Sequence, residues 1–266
     1  MLSKVFATIA VVITGGLLLF GVYDFPSFGD PNSPPNAGVE GGGESVSQYF
    51  ITHTYKDTKV PNLVTAVLAD YRGYDTMFET VVVFAAGIAI FCIMRVVGNA
   101  NDPRQKKERE GMHSFTYGDH NRIIIGTTCR VIVPIIQLFG LYVIAHGHYS
   151  PGGGFQGGVL LGASFILLAL SSDLNSALKR FSEYNYFKLA AVGILIYAGF
   201  GLTSQFLGEN FLDYGVLQPL LFTDGPEMAR SHSMLGVEIG VAFTVMAIMF
   251  SIYANLASQG TLKDGL

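Results

Sequence analysis

No tryptophan occurs in this chain, cysteine occurs twice, and charged residues make up only 14% of 266 positions. Soluble domains carry about 25% charged residues, so a surface that faces water on every side is excluded. The formal net charge is −4, which leaves no basic footprint for nucleic acid. Cys92 and Cys129 both fall inside apolar runs. They read as small buried hydrophobes rather than as a disulfide or a metal pair. Without tryptophan, anchoring at a membrane–water boundary falls to tyrosine. Tyr23, Tyr117, Tyr149, Tyr184 and Tyr253 stand near the ends of apolar runs, where such anchors belong.

What is plentiful is apolar surface, at 50% of residues. Six runs approach the length that crosses a bilayer: Leu2–Tyr23, Thr76–Val97, Ile123–Ala145, Phe155–Leu170, Phe187–Phe206 and Met234–Ala257. The expectation is an all-α, polytopic membrane protein with six transmembrane helices. The first run is too long, and lacks the small-residue site, for a cleaved signal peptide. The fourth is short, so part of the preceding loop is expected to enter the membrane region, shielded by protein. Short helices are expected from Glu44 to His53 and from Asn62 to Asp70. The Asn99–Asn121 stretch, with its charge run from Arg104 to Glu110, reads as a linker between modules.

The positive residues sort by loop. Lys4, Arg95, Arg104, Lys106, Lys107, Arg109, Arg122, Lys179, Arg180, Lys188 and Lys263 fall on one side, and Lys56, Lys59 and Arg230 on the other. Six spans with both termini in the cytoplasm fit this separation.

Between the third and fourth runs lies Gly147-His148-Tyr149-Ser150-Pro151-Gly152-Gly153-Gly154-Phe155-Gln156-Gly157-Gly158. Proline followed by a glycine cluster marks a hinge whose backbone reaches φ > 0 and packs closely. A phosphate cradle is rejected, because no Gly-Lys-Ser/Thr follows. With its flanking helices, this loop resembles the signature of the MnhB family, the B-type component of multisubunit Na⁺/H⁺ antiporters. The stretch Asn62-Leu63-Val64-Thr65-Ala66-Val67-Leu68-Ala69-Asp70-Tyr71-Arg72-Gly73-Tyr74-Asp75-Thr76 resembles the end of the antiporter's A-type component, which related hydrogenases carry as a separate small protein, MbhE. The two resemblances imply a fusion: an MbhE-like two-span module over 1–98, a charged cytoplasmic linker over 99–120 and an MnhB-like four-span module over 121–266. They also imply an accessory role in a prokaryotic cell membrane, with large A- and D-type pumping subunits, a small C-type subunit and the lipid bilayer as partners. A homologous subunit of a redox-driven complex, an independent transporter and a purely structural spacer are the rival readings.

The polar residues that remain are the candidates for an ion path. Asp70, Arg72, Asp75 and Glu79 form the densest cluster. Asp75 or Thr76 suits a helix cap, and Glu79 suits the first turn. Capping leaves Arg72 and the further carboxylates unexplained. Glu238 is expected about 10 Å into the last span, where ionisable groups usually face protein or water. Arg130 either lies roughly 14 Å deep or snorkels to the surface. His146 and His148 could bond the loop or relay protons; their i, i+2 spacing suits a metal poorly. His113 and His120 belong to the linker. No nucleophile–base pair and no flavin or dinucleotide fingerprint appears, so no enzymatic activity, catalytic residue, cofactor or metal is expected.

Overall fold

A computed structural model describes residues 2–33, 44–97, 119–258 and 260. The expected charge run and His113 lie outside the described residues. The helices are α1 (Leu2–Tyr23), α2 (Val46–Thr58), α3 (Leu63–Ala66), a π-helical turn (Val67–Tyr71), α4 (Gly73–Val97), α5 (Asp119–Ala145), α6 (Gly154–Ser171), α7 (Leu174–Arg180), α8 (Glu183–Phe206), a 3₁₀ turn (Tyr214–Leu217), α9 (Gln218–Leu221) and α10 (Pro226–Ala257). The described residues contain no strand. Of these helices α1, α4, α5, α6, α8 and α10 are long and apolar enough to cross a bilayer. The fold is all-α and polytopic.

The chain forms two compact units, 1–52 and 53–266. In the first, α1 is apolar beyond Lys4 and exposed along almost all of its length. A turn follows, with Asp30 accepting from the Asn32 amide at 2.9 Å.

In the second unit α10 is the spine. It packs against α4, α6 and α8 and is the most buried of the long helices. Small residues set these contacts. A Cβ on Gly158 would meet Ala242 O at 2.9 Å, and one on Gly162 would meet Met249 Cβ at 3.0 Å. Gly193 and Gly240 face each other so closely that a Cβ on either would strike the other's carbonyl oxygen. There Thr244 Oγ1 donates across the helices to Ala190 O at 3.0 Å, the kind of interhelical bond close backbones allow. Small residues such as Gly158, Gly162, Ala163, Gly193, Ala198 and Gly201 permit close helix contact, and in a subunit they are expected to serve partners. Gly158, Gly162 and Gly193 instead pack α10, Gly201 packs Phe211, and Ala163 is exposed.

An aromatic cluster of Phe165, Phe181, Tyr186 and Phe250 fills the α6–α8–α10 core at one end. At the same end Arg95 pairs with Glu183 at 2.6 Å. At the other end Tyr197, Tyr214, Leu217 and Met234 are almost wholly buried. Cys129 is buried, but Cys92 is exposed, against expectation. It lies on α4, little of which is buried within this chain.

Most helix starts lie within four residues of the sequence reading; two departures are more than a shift of a few residues. The last helix begins at Pro226, eight residues before Met234, because proline at the first turn needs no donor and Ala229, Ser231 and Ser233 are buried as the helix continues. The expected Asn62–Asp70 helix is α3 plus the π turn. Asn62 Oδ1 caps α3 by accepting from Val64 N at 3.1 Å. The Arg72 amide then reaches back five residues to Val67 O at 2.8 Å, which widens the helix and ends it.

Candidate functional site

The π turn, the starts of α4 and α10 and the α5–α6 loop converge at one end of the second unit. Three polar groupings lie there.

The first is an ion pair. Asp70 accepts from Arg230 Nη2 at 2.6 Å and Nε at 2.7 Å, and its side chain is only 6% exposed. Arg230 also stands over the Tyr71 ring, 5.5 Å from its centroid. Tyr71 in turn donates to Asp57 at 2.8 Å. Burial pushes the Asp70 carboxyl above its ordinary value, and the Arg230 guanidinium offsets this only in part. Sequence reading counted Arg230 only as an outer-side cation. Its partner is 160 positions away, and no local pattern reveals that distance.

The second grouping is a clamp on the glycine loop. Asn62 Nδ2 donates to Gly147 O at 2.8 Å and to Ser150 O at 2.9 Å. The Asn62 amide donates to His148 O at 3.0 Å, and Thr65 Oγ1 to Gly147 O at 2.8 Å. Neither residue stood among the expected site residues. The one available signal was that Asn62 follows a proline and can cap a helix.

The third is Glu238. From Pro226 it lies about 18 Å along α10, further from the helix start than the sequence reading placed it. It is buried beneath Gly147, Gly153 and Gly154. The loop reaches this position because Gly152 and Gly153 have φ of 154° and 131°, a conformation that side chains resist.

The other expected site residues are dispersed. Arg72 and Asp75 pair with each other, Nε to Oδ2 at 2.6 Å, and both are exposed. Glu79 is exposed on α4, and Arg130 is exposed on α5. His146 is exposed and stacks on Tyr142 at 4.0 Å between centroids. His148 is half-buried; burial pushes its imidazole below the usual histidine value, and its Nε2 has no hydrogen-bond partner. Among the described residues no group of three histidines, cysteines or carboxylates could hold a metal.

Residues 124–251 match the family model described as a domain related to the MnhB subunit of Na⁺/H⁺ antiporters. Residues 40–110 match the MbhE family model, described as the E subunit of MBH. The putative antiporter subunit mnhB2 of Staphylococcus haemolyticus is 30% identical over 139 residues, 52% of this chain and 95% of that one. A probable K(+)/H(+) antiporter A/B subunit of Rhizobium meliloti is 24% identical over 180 residues; the match spans 64% of this chain but only 18% of that much longer protein. Two solved structures share the fold. A chain of the membrane-bound sulfane sulfur reductase, an archaeal respiratory membrane complex, aligns with a TM-score of 0.55 at 23% identity, covering 94% of this chain and 98% of that one. A chain of the Mrp complex from Dietzia sp. DQ12-45-1b aligns with a TM-score of 0.54 at 22% identity, covering 94% of this chain and 26% of that one. With six apolar helices of spanning length and an almost complete match to a B-type subunit, the chain is a multi-pass membrane protein that belongs to the MnhB-related family of Na⁺/H⁺ antiporter subunits.

Proposed function

We propose that the chain is an accessory, non-catalytic subunit of a multisubunit cation/proton antiporter, lining an ion path where it meets the large pumping subunits. One observation carries this reading. Glu79 stands exposed on α4, about 9 Å along a span whose other charges, Asp75 and Arg95, lie in its end turns. A carboxylate turned toward hydrocarbon is costly, and ionisable groups in spans face protein or water. The surface around Glu79 is therefore where a partner sits, and an ion can meet the carboxylate there. Asp70, Arg72 and Asp75 surround the start of the same helix and tune the local charge. Arg130, His146 and His148 belong to the same proposal as more distant members.

The orientation is part of the proposal: both termini and the 99–120 linker in the cytoplasm, the Ser150–Phe155 loop outside. So is the division into an A-type tail over 1–98 and a B-type module over 121–266. The test is Glu79→Gln in the assembled complex. Antiport should fall strongly while the subunits still copurify. Normal antiport in assembled complexes would leave Glu79 a helix-start carboxylate and favour a spacer.

A second reading has its own support. The sulfane sulfur reductase chain is matched over 98% of its length, so a redox-driven complex also uses a chain of this shape and size. Purification in mild detergent separates the two. Large antiporter-type subunits alone support the first reading, and iron–sulfur subunits in the same particle support the second.

A further inference from the structure

Glu238 lacks the partners a buried carboxylate ordinarily has. The residue is 8% exposed, and its Oε2 has no hydrogen-bond partner. The wall against it is bare backbone. A Cβ on Gly147 would come within 2.8 Å of Oε2, and one on Gly153 within 2.7 Å of Oε1. A Cβ on Gly154 would strike the carbonyl oxygen of Glu238 itself. The loop thus covers the acid with backbone that leaves no room for a side chain, and the Asn62–Thr65 clamp holds it there.

No counter-charge answers the carboxylate. Ionisable side chains on the surrounding elements include Arg130 of α5, Tyr197 of α8, His146 and His148 of the loop, Asp70 of the π turn, Arg72 and Asp75 beside it, and Glu227, Arg230 and His232 of α10 itself; Arg130 is exposed and Arg72 is paired with Asp75. Arg230 is committed to Asp70. The Tyr197 hydroxyl donates to Gly73 O at 2.7 Å. His146 is exposed and stacked on Tyr142. His148 has a depressed basicity through burial and the nearby His232. An ionised carboxylate so enclosed, with no donor to Oε2 and no cation paired with it, carries a large desolvation cost; the neutral acid carries far less. A set of metal ligands is also missing among the described residues.

We propose that Glu238, enclosed by the Gly147–Gly154 backbone, is a proton-binding site. The carboxyl takes a proton from water and returns it to water, and no other bond changes. The ligand is the proton and not a metal cation. The role of this site in transport rests on the antiporter reading; its chemistry does not.

The test uses the purified whole complex and a hydrophobic carbodiimide, which adds to protonated carboxyls in apolar surroundings. Peptide mass spectrometry locates the product. Modification at Glu238 is expected, falling about tenfold per pH unit once the pH passes its titration point. Sodium at constant pH and ionic strength should leave it unchanged. Glu238→Gln should assemble normally and lack that product, and Glu238→Asp should restore a pH-dependent one. Absence of modification at any pH would overturn the proposal, as would protection by sodium, which would make the ligand a metal cation. The outcome is independent of the Glu79→Gln result: loss of the interface path would leave the Glu238 titration in place, and the converse also holds.

Discussion

Arg230→Met should destabilise the chain more than any other single change to its exposed or half-buried charges. Asp70 is almost closed off from water and takes both of its described bonds from Arg230. Removing the guanidinium leaves a buried carboxylate alone, which costs about 3–5 kcal/mol. At roughly 2–4 °C per kcal/mol for a domain of this size, the melting midpoint should fall by about 6–20 °C. Pairing the change with Asp70→Asn removes the stranded charge, so most of the loss should return. The effect also has a pH signature. Burial holds the folded Asp70 carboxyl above its ordinary value of 3.8, so the folded state binds that proton more tightly than the unfolded chain. This contribution to stability is full below the ordinary value and is lost as pH rises through the folded one. Without Arg230 the folded value moves further up, so the variant's deficit should be small in acid and grow toward neutral pH. Tryptophan fluorescence cannot follow this transition, since the chain has no tryptophan. A thiol-reactive dye can: Cys129 is buried and free, and Cys92, which is exposed, is replaced by alanine. An Arg230→Met chain that melts with the parent at neutral pH would refute the reasoning. So would a double variant no more stable than the single one.

Gly193→Ala should separate α8 from α10, because its Cβ would collide with Gly240 O and Thr244 in a crossing that has no slack; a loss of about 1–3 kcal/mol is expected in the same dye assay, and a wild-type midpoint would contradict it. Single cysteines at Gln105 and Ser150, in a background lacking the native two, should react with impermeant reagents from opposite faces of the membrane; labelling from one face would overturn the proposed orientation.

The spans were legible because each is a long apolar run closed by turn residues, and Leu2–Tyr23 starts and stops where the composition changes. The start of α10 was not. Glu227, Arg230 and His232 read as a polar loop, whereas Ala229, Ser231 and Ser233, interleaved with them, are buried on more than one side of the helix. Missing those two turns put Glu238 too near the helix start. The site was only half legible for a related reason. Asp70 and Glu238 are conspicuous as acids in apolar surroundings, but what they face is set by contacts across 160 positions in one case and by glycines in the other. Small residues posed the same difficulty: their spacing shows that some helix comes close, not which one, and four of the six suggested for partners are used inside the chain.

The clamp on the glycine loop also has an order in time. Asn62 leaves the ribosome 85 residues before Gly147, its acceptor. At synthesis rates of roughly 5–20 residues per second, it waits about 4–17 s for that carbonyl to exist. Two apolar helices, α4 and α5, must be made in the interval. During it Asn62 can cap α3 with its own side-chain oxygen, a bond that needs only its near neighbours. The amide nitrogen of the same side chain has only Thr65 Oγ1, at 3.0 Å, as a near acceptor until the loop arrives. The clamp can thus close while α6 to α10 are still unmade, ahead of the Asp70–Arg230 and Arg95–Glu183 pairs, whose second members come later in the chain.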